Sequence, residues 1–161
     1  MRDAVTAYVG VGANLGDAVR TVREAIARIA RLPHTAVTRQ SSLYRTAPVD
    51  SSGPDYINAV AEISTRLTAP ELLAQLQGIE QAAGRERPYR NAPRTLDLDL
   101  ILFGGASIDS ARLQVPHPRM NTRAFVLVPL AEIAPELVAP ERLAAVASQR
   151  LARLQSALPP G

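Results

Sequence analysis

The chain has no cysteine, no tryptophan and no lysine, and only two histidines among its 161 residues. Without cysteine there can be no disulfide, no thiolate zinc site and no cysteine nucleophile. His34 and His117 are too few for a multi-histidine metal centre. The missing lysine excludes a P-loop lysine, a Schiff base and a lysine general base. Aromatic residues make up 4% of the chain, so its core must rest on Ala, Val, Leu and Ile. No long apolar run follows Arg2 and Asp3, and no segment approaches the length of a membrane span. These absences lead to the expectation of a soluble, cytoplasmic protein with no membrane partner.

What is present describes a globular chain: 47% hydrophobic, 20% charged, with a formal net charge of +3 carried on arginine. The length suits a single domain over residues 1–161. A modest positive balance fits an anionic ligand and does not imply nucleic acid.

Residues 92–105, A-P-R-T-L-D-L-D-L-I-L-F-G-G, form the most apolar strand-like run and carry two carboxylates two positions apart. Alternation on a strand puts Asp97 and Asp99 on one face, continued by Ile101 and Phe103, with Leu96, Leu98, Leu100 and Leu102 opposite. Apolar side chains on both faces predict a central strand covered on both sides. Two like charges at its opening end either sit at a solvated rim or share a cation. A hard cation such as Mg²⁺ takes one or two carboxylates and completes its shell with water and phosphate oxygens.

The remaining pattern predicts strand, helix, strand, strand, helix, strand: 4–11, a helix after an Asp17 cap, 36–45, 56–65, a helix from the capping box Thr68-Ala69-Pro70-Glu71 to a stop at Gly84, and the aspartate strand. This is the α+β, ferredoxin-like βαββαβ order. A short edge hairpin near 107–116, a helix over 122–130 and a tail over 141–158 follow. In the tail Leu143, Ala147, Leu151, Leu154 and Leu158 share one face and should pack on the body. Gly10, Gly12 and Gly16 suggest a glycine-rich turn, but match neither the dinucleotide fingerprint nor the Walker pattern. Turn geometry and close packing are their main expected role, with ligand contact secondary.

Arg85, Arg87, Arg90 and Arg94 crowd the approach to the aspartates. Such a run is either a solvated face or a set of bidentate phosphate ligands. Beside a dicarboxylate it points to phosphoryl transfer. His117, set between Pro116 and Pro118, either contacts phosphate or is structural. Asn58 either reads an amide-like ring edge or satisfies the sheet, and Phe125 is either core or a stacking surface.

Five segments together resemble the 6-hydroxymethyl-7,8-dihydropterin pyrophosphokinase family: V-G-A-N-L-G-D at 11–17, S-S-L-Y-R-T-A-P at 41–48, P-D-Y-I-N-A at 54–59, P-R-T-L-D-L-D-L-I-L-F-G at 93–104 and V-P-H-P-R-M-N-T-R-A-F at 115–125. The resemblance implies transfer of pyrophosphate from ATP to the pterin hydroxymethyl group, with AMP released. It implies two Mg²⁺ ions on Asp97 and Asp99. A pterin pocket would use Thr46, Val49, Tyr56, Asn58, Asp97 and Phe125. The nucleotide would meet Leu73, Gln77, Glu80, Arg87, Arg94, Leu100, Arg112, His117 and Arg123, and Arg85 and Arg94 would assist the transfer. The expected partners are ATP and the pterin, with no nucleic acid, and the expected state is monomeric.

The chain departs from some members at Arg90-Asn91-Ala92-Pro93-Arg94, where they have Arg-Trp-Gly-Pro-Arg in a loop one residue longer. Asn91 cannot supply the tryptophan's aromatic lid, for which Tyr89 is a candidate substitute. Pro118 stands in place of a tyrosine beside the histidine. Two rival readings are an ATP-dependent transferase or phosphohydrolase with another substrate, and a ferredoxin-like nucleic-acid module. The second is poorly served by four Tyr and two Phe, because such modules stack bases on sheet aromatics.

Overall fold

The computed structural model describes residues 3–14, 16–47, 54–85 and 96–154, with Arg85 described by its backbone. The elements are β1 (Val5–Ala13), α1 (Ala18–Ala30), β2 (Thr35–Gln40), β3 (Tyr44–Thr46), β4 (Tyr56–Thr65), α2 (Ala69–Arg85), β5 (Asp97–Phe103), β6 (Ile108–Asp109), β7 (Gln114–Val115), α3 (Ala124–Ile133), α4 (Pro140–Ala145) and β8 (Leu151–Arg153). Short 3-10 turns occupy Met120–Thr122 and Pro135–Leu137. The starts of α1 and α2 follow from their caps. The Asp17 carboxylate accepts from Arg20 N at 3.2 Å, and Thr68 and Glu71 exchange reciprocal side-chain-to-backbone bonds of 2.8 and 3.2 Å.

The main sheet has strand order β5-β1-β4-β3-β8, with β2 pairing the remaining length of β4. The pairs within it are antiparallel. β2 and β3 occupy successive lengths of one neighbouring position along β4, so the arrangement is the expected ferredoxin-like core with C-terminal additions. The alternation of β4 separates two apolar layers. Ile57, Ala59 and Ile63 pack with α1 (Val22, Ala25, Ile26, Ile29) and α2 (Leu72, Leu76, Ile79). Val60 on the other face packs with Tyr8, Ile101, Leu127, Leu130 and Val146. Helices therefore cover both faces of the sheet.

Several local expectations are corrected. The strand expected over 36–45 is two strands, broken where buried Ser41 uses its side chain as well as its backbone. Its Oγ accepts from Val60 N at 2.9 Å, and its own N–H donates to Val60 O at 2.9 Å. Gly84 does not stop α2, which runs through to Arg85; a single glycine's helix penalty of about 1 kcal/mol is small enough for neighbouring turns to override. Gly10 and Gly12 lie inside β1, not in a turn, and Gly16, at φ +62°, is the turn glycine.

The aspartate strand is an edge strand in the hydrogen-bonding direction, although covered on both faces. Its register against β1 runs Val9 to Leu100 and then Tyr8 to Leu102, so Ile101 is an extra residue, a β-bulge. Beyond it the faces exchange: Phe103 joins Leu98 and Leu100, and Leu102 joins Ile101. Phe103 therefore does not continue the aspartate face. The tail is not one helical face either. It forms α4 and then β8, which extends the sheet antiparallel to β3, with Leu154 N donating to Leu43 O at 2.8 Å. Leu158 lies outside the described residues.

Candidate active site

Antiparallel pairing sets Gly12 opposite Asp97 and Gly10 opposite Asp99 on β5. On the other side of β1, Asn58 stands opposite Gly12 and Val60 opposite Gly10. Asn58, Gly12 and Asp97 thus form a row across three strands, on the face that α3 partly covers. The middle strand has no side chain in that row. A Cβ on Gly12 would lie 2.7 Å from Asn58 Oδ1, and one on Gly10 would lie 3.2 Å from Ile101 Cδ1.

The Asn58 amide is held from β3. Its Nδ2 donates to Thr46 Oγ1 at 2.7 Å, and both residues are buried. That bond uses one amide donor and leaves Oδ1 directed at the glycine row. Tyr56, two positions earlier on β4, shares the face of Asn58.

A second wall comes from the segment that opens α3. The Arg123 guanidinium carbon lies 5.3 Å from the centre of the Phe125 ring, a cation–π contact that fixes the arginine over the aromatic. The third wall is His117, just past β7. Its backbone N–H donates to Ile101 O at 2.9 Å, tying it to the open edge of β5. Arg119 N donates to His117 Nδ1 at 3.2 Å, so the neutral ring carries its proton on Nε2. Burial lowers the imidazole pKa; the Asp99 carboxylate opposes this, and Arg123 and Arg119 lower it further. The net effect favours the neutral ring.

These groups enclose a cavity of about 250 Å³. Thr46, Tyr56, Asn58, Asp97, Asp99, His117, Arg123 and Phe125, all anticipated from the sequence, line it together. Gly10, Gly12, Ala47, Ile101 and Val126 also line it; ligand contact is the secondary expectation for the two glycines, and the sequence points to none for Ala47, Ile101 or Val126. Two glycines two positions apart in an apolar strand were the available signal, since that spacing clears one face for a close approach.

Other anticipated residues lie elsewhere. Leu73 packs on the helix-side core, Gln77 is exposed, and Arg112 is exposed in the β6–β7 turn. Leu100 is buried in the helix-side core, so its side chain points away from the aspartates. Glu80 Oε2 accepts from Leu98 N at 2.7 Å, anchoring the outer edge of β5 between the two aspartates. Val49, Arg87, Arg94, Tyr89 and Asn91 lie outside the described residues, as does the side chain of Arg85.

Asp97 and Asp99 are exposed at the start of β5 and face the same cavity. Among the described residues no group of three His, Cys, Asp or Glu side chains could hold a metal alone. Two carboxylates with open positions fit Mg²⁺ completed by water and phosphate oxygens, and do not fit an all-protein cage.

Residues 8–135 match the sequence model of a family described as 7,8-dihydro-6-hydroxymethylpterin-pyrophosphokinase. The chain is 48% identical over 134 residues to a 2-amino-4-hydroxy-6-hydroxymethyldihydropteridine pyrophosphokinase of Synechocystis sp., covering 83% of this chain and 69% of that one. It is 44% identical over 137 residues to the protein of the same name from Haemophilus influenzae, covering 84% of this chain and 86% of that one. Among solved structures, a crystal structure of HPPK-DHPS in complex with substrates aligns with a TM-score of 0.67 at 12% identity, over 91% of this chain. A Plasmodium falciparum HPPK-DHPS triple mutant aligns with a TM-score of 0.67 at 12% identity, over 84% of this chain. This chain spans 43% and 41% of those two, and the likeness to them is one of fold.

Proposed function

The chain belongs to the 7,8-dihydro-6-hydroxymethylpterin-pyrophosphokinase family, and from that premise we propose how its cavity serves the transfer. The enzyme moves pyrophosphate from ATP to 6-hydroxymethyl-7,8-dihydropterin in folate biosynthesis, leaving AMP. The row Asn58–Gly12–Asp97 is the observation that most supports this assignment of the cavity. It sets an amide suited to a heterocycle and a carboxylate suited to a metal-bound phosphate on either side of a bare strand.

In this reading the pterin ring lies over Gly12. Asn58 Oδ1 accepts from its ring N–H and amino groups, and the Thr46 hydroxyl holds the amide in that orientation. Tyr56 and Phe125 border the ring, and Val49 and Asp97 complete the pocket. Asp97 and Asp99 would hold Mg²⁺, two ions in this proposal, and the metal supplies charge neutralisation on the phosphates. His117, through Nε2–H, and Arg123 donate to phosphate oxygens. Leu73, Gln77, Glu80, Arg87 and Arg112 contribute to the nucleotide side, with Leu100 acting through its backbone. Arg85 and Arg94 neutralise charge during transfer.

The pterin hydroxyl oxygen attacks the β-phosphorus in line. A new O–P bond forms, the bridging oxygen between the α- and β-phosphates leaves with AMP, and the hydroxyl proton passes to solvent. A metal-bound Asp97 is a poor base, so positioning and electrostatics carry the rate. The protein acts as a single domain, as a monomer, in the cytoplasm.

Incubation with ATP, Mg²⁺ and the pterin alcohol tests the assignment. The expected products are AMP and the pterin-methyl diphosphate. Formation of ADP in place of AMP would overturn it.

A further inference from the structure

The segment 146–154 lies beyond the matched family region, which ends at residue 135, and carries none of the site residues described above. It nevertheless touches two walls of the cavity. Its strand β8 pairs Leu151 with Thr46, the residue that holds the Asn58 amide. Before β8, Val146 is buried beneath α3, and Gln149 N donates to Val146 O at 3.0 Å, which fixes the backbone of Gln149.

The Gln149 side chain then bridges the two peptide groups on either side of Arg123. Its Oε1 accepts from Ala124 N at 2.9 Å, and its Nε2 donates to Thr122 O at 2.8 Å. Arg123 occupies the N-cap position of α3 in an extended conformation, φ −125° and ψ 112°, and makes no side-chain cap of its own. The first N–H groups of a helix have no partner within the helix. Gln149 supplies one from outside, and in the same contact pins the carbonyl that precedes Arg123.

We propose that Gln149 is a positioning residue of the pyrophosphokinase site, fixing the Thr122–Phe125 turn from which Arg123 reaches phosphate and Phe125 borders the pterin. Two hydrogen bonds to consecutive peptide groups restrain the rotation of the Arg123 backbone. The guanidinium's direction depends on that backbone and on the Phe125 ring beneath it. Misplacing a phosphate ligand by about 1 Å can cost up to about 10²-fold in rate. Gln149 is itself exposed, so its removal bears on the turn it holds more than on the core.

The inference rests on the proposed function, and its test separates the two. Gln149→Met keeps the length of the side chain and removes both hydrogen bonds. Arg150→Ala changes an exposed neighbour on the same segment. The wild-type chain should form AMP from ATP and the pterin; no AMP from it would defeat the functional reading. With AMP forming, Gln149→Met should lower kcat about tenfold and raise both substrate KM values, at a thermal midpoint within a few degrees of wild type. Gln149→Glu, which retains the acceptor for Ala124 N, should recover part of that loss, and Arg150→Ala should match wild type. Wild-type kcat in folded Gln149→Met would overturn the proposal. Failure of both Gln149 variants to fold would overturn it as well, because the bridge would then hold the fold and not the site.

Discussion

Gly12 and Asn58 face each other across the β1–β4 pair so closely that a methyl group does not fit between them: a Cβ on Gly12 would lie 2.7 Å from Asn58 Oδ1. The obstruction is the functional end of a buried amide whose other end is already tied to Thr46. The glycine thus clears the sheet floor and leaves that amide in the orientation the proposed pterin site needs.

Gly12→Ala should therefore act through Asn58. Turning the amide away strains or breaks its bond to Thr46, at a stability cost of about 1 kcal/mol. The KM for the pterin alcohol should rise about tenfold or more, equivalent to about 1.4 kcal/mol of binding, while the KM for ATP changes much less. Steady-state kinetics with each substrate varied in turn reads the difference. Equal effects on both substrates would detach Asn58 from pterin recognition.

Asp97→Ala and Asp99→Ala each remove one of two like charges from an exposed strand end, so both variants should keep the fold. AMP formation should fall by at least about 10²-fold in either, the scale seen when a preorganised electrostatic group is lost from a transition state. Product assays across a Mg²⁺ titration, with circular dichroism as the fold control, check both statements. Undiminished Mg²⁺-dependent turnover in either variant would remove that aspartate from the metal site.

Acid should loosen the α3 side of the sheet first. Burial raises the Glu132 pKa, but hydrogen bonds from Tyr44 at 2.6 Å and from Ser42, with Arg153 nearby, bring it below the usual glutamate value. Glu62 is lowered on balance in the same way, its burial outweighed by Tyr8, Thr38 and Arg39. A carboxyl whose folded pKa lies below its unfolded value binds fewer protons in the native state. Its stabilisation is present above the unfolded value of about 4.3 and is lost as pH falls through the lower folded value. Melting curves between neutral pH and pH 3 should show the loss, and Glu132→Gln should flatten it. An unchanged acid slope in that variant would exclude Glu132 as a source.

The core and half of the site were legible from local patterns. Alternation in β4 separated Ile57, Ala59 and Ile63 from Tyr56, Asn58 and Val60, and the pair Asp97/Asp99 needed only a period of two. Thr46 and His117 could not be placed by pattern, because their roles depend on which strands become neighbours. Only the family resemblance proposed Thr46 as a ligand, whereas the chemistry of His117 had left phosphate contact and a structural role equally open. Local reading failed where pairing overrode it. The segment 36–45 had no sequence break strong enough to announce Ser41 as a ladder substitute. The tail's helical spacing at Leu143, Ala147 and Leu151 lost to an open strand edge at β3. The Gln149 bridge was invisible for the same reason: one polar side chain meets backbone more than twenty residues away.

The bulge at Ile101 gives β5 a form of mechanical insulation. Up to Leu100 the strand's rotation is set by the row of glycines and aspartates; beyond Ile101 it is set by how Leu102 and Phe103 fit the two apolar layers. Because the faces exchange between these halves, repacking around Phe103 need not turn the carboxylates. A residue gained or lost between Asp97 and Leu100 has no such buffer and would rotate one carboxylate into the helix-side core. The far half of the strand is free to vary in volume, and the near half is intolerant of any change in count.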